Sequence, residues 1–502
     1  MSQGAPVWSK RVGDASVADA NVKFCAGYDV AGRGAADSRL APFDLQTNAA
    51  HLLMLEEREI IPQEPAAEAA SGLLKLKARL EGGEDLLRPS CEDIHMSVES
   101  LLTELVGADA GGRIHTGRSR NDQIATDMRL WLRDTVAAFA EDFALVGRAL
   151  ATHARQHLHT VCPGFTHGQP GMVTSWGHTA MSYMPRILRD LRALAAILRE
   201  LSTCPLGAAA GYGTGWPIDR NRTATLLGFK HPSPSGADSN WSRGEMEGRL
   251  AVVLAQFLSH LAGIGQDIIL LSSPPRDWLR LADEHVTGSS IMPQKRNPDF
   301  AEVTRARAAH ALGIAQGLLG ISSVLPSGYN RDTQWTKYLA FDAADNALHA
   351  GPLFADVFDR VRVNAPAMRA ACDVGFLNAT DVADYIARSR RIPFRACYRL
   401  IGAAVKECES AGRLTREAMN PILAAEQLAP LSESEWQRLE DPAALLMLRA
   451  QPGNPHPDET AKSIDILLAE IEEERALIAG KAAEWRAAID RLWGQVKATA
   501  GE

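Results

Sequence analysis

The segment GEMEGRLAVVLAQFLSHLAGIGQDIILLSS constrains the fold more than any other part of this chain. Met246, Leu250, Val253, Leu254, Phe257, Leu258, Leu261, Ile264, Ile268 and Leu271 recur in it at steps of mainly three and four. That is the period of a helix burying one broad face. Its length, about 28 residues, exceeds that of most globular helices and suits a long bundle helix. Similar patterns at roughly 122–158, 178–203, 301–324 and 335–363 predict five long helices in succession, with little strand-like alternation. The fold class is mainly α, in three parts: an N-terminal helical domain over 1–121, a central long-helix bundle over 122–365, and a C-terminal helical domain over 366–502. The last part contains a Pro/Gly/His loop at QPGNPHPDET and a final Glu/Ala-rich helix from about 458. The bundle helices are apolar over a wide arc, so they are expected to bury against other subunits as well.

Composition narrows the function classes. A chain of 502 residues with 46% hydrophobic residues can bury a large core, and its net charge of −8 argues against nucleic acid and membrane surfaces as partners. Seven cysteines without CxxC or CxxxC spacing read as reduced thiols. The N-terminus lacks a basic-then-apolar signal pattern, and no stretch approaches 18 consecutive apolar residues. A cytoplasmic protein is expected.

Chemistry concentrates in polar segments between the helices. In TGSSIMPQKRNPDFAE (287–302), Gly288, Ser289 and Ser290 form a turn with exposed hydroxyls and N–H groups suited to an anion; Lys295, Arg296 and Asn297 follow. A connector of this length can be basic by chance, but two serines, a lysine and an asparagine in this order are seldom incidental. His167 lies in a second segment, CPGFTHGQ, where a lone histidine is ordinarily just polar surface. Arg120 and Asn121 in HTGRSRNDQIATDMRLWLR offer a fork and an amide suited to a carboxylate, although a basic residue at a helix start is often merely solvated.

The string G-S-S-x-M-P-x-K-x-N-P resembles the signature of the aspartase/fumarase superfamily at every defined position. HTGRSRNDQ, EDIHMSVE (92–99), CPGFTHGQ and IPFRACYRLIGAAV (392–405) are similar to segments of its argininosuccinate lyase branch, and the likeness extends to about residue 460. It implies a homotetramer with a multi-helix core, each active site drawing on three subunits, and a carbon–nitrogen lyase that needs no cofactor and no metal. Such an enzyme eliminates an amine from an N-substituted aspartate and releases fumarate. Loss of the proton beta to nitrogen pushes charge into the neighbouring carboxylate, and the resulting aci-carboxylate needs cationic and N–H donors aimed at it. The resemblance makes Ser290 the general base, Lys295 the stabiliser of that charge, and His167, paired with Glu302, the partner of the leaving nitrogen. Arg120, Asn121, Thr166, Ser289, Asn297, Tyr329, Gln334 and Lys337 become substrate ligands.

Departures fall on the amine side. Gly27 stands where the branch has serine, Val30–Ala36 is an insertion, THGQPGMVTSWGH and LGAAAGYGTGWPIDR are altered, and Gln334-Trp335-Thr336-Lys337 lacks the acid usual before the lysine. A rebuilt amine half implies an aminopolycarboxylate substrate, ethylenediamine-N,N′-disuccinate (EDDS), with Lys337 and Arg33 facing its second aspartyl arm. The alternatives are argininosuccinate, an amino-acid conjugate, and a non-catalytic crystallin-like role, which would predict the loss of catalytic groups. Adenylosuccinate lyase shares the signature, but the HTGRSRNDQ segment counts against it.

Overall fold

The computed structural model describes residues 36–88, 91 and 93–502. Its principal helices are α1 (Ala41–Glu57), α2 (Gln63–Glu81), α3 (Ile94–Val106), α4 (Arg120–Gln156), α5 (Met184–Glu200), α6 (Glu245–Ser272), α7 (Asp299–Ser322), α8 (Gln334–Ala347), α9 (Ala350–Arg360) and α10 (Pro457–Ala500), with shorter helices over 365–447. Two-stranded pairs account for the strands among the described residues; those used below are β1 (Val161–Thr166) with β2 (Gln169–Ser175), and β3 (Leu279–Arg280) with β4 (Arg362–Val363).

The long helices follow the apolar period, and their ends follow local chemistry. Ser119 Oγ accepts from Asn121 N at 3.3 Å and Asp122 Oδ1 from Ser119 N at 3.0 Å, a capping box that starts α4. At the start of α6, Gly244 has φ +95°, and Glu247 Oε2 accepts from its N–H at 3.0 Å. Two expected helices are interrupted. The pattern at 178–203 resolves into a turn of helix at Trp176–Met181 and then α5, which has Pro185 in its first turn. The pattern at 335–363 divides into α8 and α9, because Pro352 cannot continue a helix through Leu348.

Two hydrophobic cores result. The larger joins α1–α10: Phe143 of α4 stacks on Phe257 of α6 with centroids 3.7 Å apart. Two glycines set close approaches, since a Cβ on Gly265 would lie 3.2 Å from the Ala301 Cβ, and one on Gly147 would lie 2.8 Å from Ile471. The final helix, 44 residues long, thus returns to the bundle through Ile464, Ile471, Ile478 and Leu492. The smaller core collects Val161 and Val173 of the β1–β2 hairpin with residues from Cys372 to Leu446. The expected third part, 366–502, is therefore divided between both cores, because the Ile464–Leu492 stripe packs on α4, α5, α2 and α1 rather than on its sequence neighbours.

Helix α6 is long and apolar enough, by length and composition, to cross a bilayer, but half of that stretch is buried within this fold. Val252, Leu270, Leu312 and Leu319 leave apolar surface exposed on α6 and α7. The six cysteines among the described residues are free thiols, five of them buried.

Candidate active site

The serine loop precedes α7 and is closed at its base by a reciprocal backbone pair. Thr287 N donates to Asn297 O at 3.0 Å and Asn297 N to Thr287 O at 2.9 Å. The Asn297 amide also donates to Gly288 O at 3.1 Å, and Arg296 is clamped to Asp283 and to the Leu281 carbonyl. Asn297 therefore shapes the loop as well as offering a donor. Ser289 Oγ accepts from Ile291 N and Met292 N at 3.4 and 3.2 Å, leaving Ser290 and Lys295 exposed at the tip. Neither the Ser290 hydroxyl nor the Lys295 ammonium has a partner among the described residues, and Ile291 beside them is 82% exposed.

His167 and Gly168 form the two-residue turn of the β1–β2 hairpin, with φ of +54° and +73° and with Thr166 opposite Gln169. A turn with both φ positive matches the twist of the flanking strands, and it thrusts the imidazole outward. Thr166 and His167 are exposed. Phe165 packs against Trp278 at 5.8 Å, so the hairpin and the serine loop occupy the same end of the bundle. Glu302 is exposed in the first turn of α7, and no contact joins it to His167 within the chain.

A second group lies at the opposite end. Arg120 and Asn121 open α4 half-buried, and Asp93 Oδ2 accepts from Arg120 Nη1 at 3.1 Å. Asp122 Oδ2 accepts from Gly207 N and Ala209 N at 2.8 and 2.7 Å, tying the altered LGAAAG segment to this helix start. Burial, partly offset by these N–H groups and by Arg118, pushes the Asp122 pKa up to about 6. Trp241 donates to the Leu325 carbonyl at 3.3 Å and brings in the loop bearing Tyr329; Gln334 donates to the Tyr329 hydroxyl at 3.2 Å.

Lys337 is not a free cation here. Its ammonium lies 2.6 Å from Asp37 Oδ2 with both side chains buried, because Asp37 supplies from 300 residues away the acid missing before the lysine. Of the 30–36 insertion only Ala36 is described; Arg33 and Gly27 lie outside the described residues. Beside Tyr329 stands a buried cation that the sequence reading passed over. Arg243 is 5% exposed, stands 5.3 Å over the Tyr329 ring, and has both terminal nitrogens buried without a hydrogen-bond partner. Burial lowers its pKa, although Tyr329 and Glu247 favour its charge. The signal was legible: an arginine beside the N-terminus of a 28-residue helix opposes the helix dipole and needs another reason to be there.

Behind Arg120, Asp44, His95 and Asp127 bring three potential ligand atoms within 4.8 Å of one another. His95 Nδ1 lies 2.7 Å from Asp44 Oδ1, and Gln123 donates to the same oxygen at 2.9 Å. Burial alone would lower the His95 pKa, but Asp44, Asp127 and Asp93 together outweigh it and raise it; burial and Asp44 raise that of Asp127. With Arg118 close enough to act on both carboxylates, the cluster is a hydrogen-bonded brace between α1, α3 and α4.

Distance separates the two groups. Helix α4 has 37 residues and is about 55 Å long. The hairpin base sits at its far end, where Gly177 N donates to His157 O at 3.0 Å, and a strand of six residues reaches only about 20 Å. Arg120 and His167 of one chain thus remain about 30 Å or more apart. Tyr329 follows the far end of α7, about 36 Å from the end that carries the serine loop. One chain thus holds the candidate residues in two separate groups, treated below as half-sites.

Known proteins match this chain in sequence and in fold. The family described as Lyase matches residues 33–313, and that described as Argininosuccinate lyase C-terminal matches 376–443. Argininosuccinate lyase of Bordetella pertussis is 37% identical over 408 residues, 81% of this chain and 84% of that protein. The Neisseria meningitidis enzyme is 38% identical over 376 residues, 75% and 81% of the two chains. Among solved structures, EDDS lyase, including a variant with bound fumarate, superposes with a TM-score of 0.85 at 26% identity, covering 97% of both chains. Class II fumarase of Schistosoma mansoni shares the fold, with a TM-score of 0.68 at 14% identity over 88% of this chain and 96% of that one. The chain therefore belongs to the argininosuccinate lyase branch of the aspartase/fumarase superfamily, and it is a carbon–nitrogen lyase that releases fumarate.

Proposed function

We propose that this enzyme eliminates the amine from an aminopolycarboxylate of the EDDS type, in sites assembled between the subunits of a cytoplasmic homotetramer. The separation of the two half-sites supports sharing: the carboxylate-holding end of one chain must meet the serine loop and the histidine hairpin of others. The exposed apolar residues of α6 and α7 supply surface for that assembly.

In the reaction, Ser290 Oγ, as the alkoxide, takes the proton from the carbon beta to the nitrogen. The electron pair enters the adjacent carboxylate, where Lys295 and the loop donors hold the aci-carboxylate. Collapse forms the carbon–carbon double bond of fumarate and expels the amine. His167, with Glu302 of a neighbouring subunit beside it, supplies a proton to the leaving nitrogen. Arg120, Asn121, Thr166, Ser289 and Asn297 hold the carboxylates.

Arg243 carries the choice of amine. A buried guanidinium over Tyr329 whose terminal nitrogens make no well-formed hydrogen bond to the chain calls for a carboxylate. EDDS brings two on its second aspartyl arm, and its cleavage proceeds through N-(2-aminoethyl)aspartate to ethylenediamine and two fumarates. Argininosuccinate is the second reading, favoured by the 37% identity to argininosuccinate lyases; its arginine portion brings one carboxylate and a guanidinium. The test is direct: each substrate is incubated separately with the enzyme while fumarate absorbance is followed. Faster release from EDDS is expected, and efficient argininosuccinate cleavage without EDDS cleavage would return the enzyme to the biosynthetic reaction.

A further inference from the structure

Outside both half-sites, the β3–β4 pair places two arginines face to face. Arg280 and Arg362 are directly opposed in the antiparallel register, next to the pair Leu279 and Val363. Opposed residues on such a pair project to the same side with Cβ atoms roughly 5 Å apart, and like charges there repel. Leu279 is buried and Val363 packs against the main core, so the two guanidiniums take the outer face, where both are exposed.

They line a cleft of about 460 Å³ together with Arg296, Arg360, Asp283 and Glu284. The other two arginines are neutralised there: Arg296 pairs with Asp283, while Arg360 pairs with Asp356 at 2.9 Å and Glu284 at 3.4 Å. Arg280 and Arg362 have no ion pair or hydrogen bond among the described residues. Two uncompensated positive charges therefore stand side by side in a cleft of a chain whose net charge is −8. The cleft also shares Leu281, Asp283 and Arg296 with the base of the serine loop.

We propose that Arg280 and Arg362 form an anion site, separate from the reacting centre, that takes a small dianion such as phosphate or a dicarboxylate. An anion between them relieves their repulsion and accepts charge-assisted hydrogen bonds from both planar forks. Its occupancy steadies the segment that clamps Arg296, and hence the loop that carries Ser290.

The test is calorimetric titration of the intact enzyme at low ionic strength, with inorganic phosphate and with fumarate in separate arms. Arg280→Gln/Arg362→Gln should weaken phosphate binding by about tenfold or more, or remove a second class of fumarate sites while leaving those at the reacting centre. Which arm responds identifies the dianion. The double variant should also melt higher than wild type without anion and gain nothing when anion is added. Arg362→Glu, which gives Arg280 an acid partner, should behave likewise. Binding of both anions that is the same in wild type and variants, or absent from wild type, overturns the proposal.

Discussion

Lys337 and Asp37 form a buried ion pair of 2.6 Å across 300 residues of sequence. The pair fastens the start of the described chain to α8, one turn beyond Gln334. Removing one partner of a buried pair leaves the other charge uncompensated, which typically costs about 3–5 kcal/mol. Lys337→Ala should therefore lower the melting temperature and the folded yield, and Asp37→Asn in the same chain should recover part of the loss. A variant with wild-type stability and only a raised KM would make Lys337 a substrate ligand instead.

Ser290→Ala removes a hydroxyl from an exposed loop tip and no core volume. Turnover should vanish while the melting temperature and oligomer mass stay unchanged. His167→Asn should lower kcat less completely, by about a hundred- to ten-thousandfold. More than about a tenth of wild-type activity in Ser290→Ala would move the base elsewhere.

The two half-sites of one chain predict complementation. Arg120→Ala and Ser290→Ala should each be inactive alone, yet refolding them together should restore activity at those sites where both intact halves meet. Random mixing leaves about a quarter of the sites intact. No recovery in a verified mixed oligomer would place both residues of each site on one subunit.

Arg243→Gln tests the amine side. It should raise KM for EDDS and lower kcat/KM by about ten- to a hundredfold, the effect of losing a charge-assisted contact. Deamination of aspartate itself, where it can be measured, should change little. An equal loss on both substrates would assign Arg243 to the fumarate side.

Two buried histidines should cost stability on the acid side. His51 is wholly buried with Nε2 2.8 Å from the Thr116 carbonyl, and burial beside Arg118 holds its pKa down to about 3. His153 accepts from Trp176 Nε1 at 2.8 Å, and burial holds its pKa down to about 4. Unfolded imidazoles bind protons near pH 6.5, so the folded state loses stability as pH falls from there, by up to about 1.4 kcal/mol per unit for each histidine. Asp122, Asp127 and His95, whose pKa values are raised, act in the opposite direction, so the measurement is a difference: between pH 7 and 5, His51→Gln should lose less stability on acidification than wild type.

Much of this protein was legible in its residues taken in order. Apolar period located the long helices to within a few residues, because a helix announces its buried face every three or four positions. Its prolines were as informative: Pro185 and Pro352 mark the two places where periodicity alone ran helices together. The serine loop and the THG turn stood out because their chemistry is local. Pairing over distance was decided by tertiary structure alone. Asp37 neutralises Lys337, Ile471 draws the last helix onto α4, and Arg243 is left with two nitrogens to satisfy; none of these depends on spacing along the chain. Geometry also supplied what a sequence does not measure. A helix of about 55 Å keeps Arg120 and His167 of one chain apart, and on that separation rests our proposal that the active site forms where chains meet.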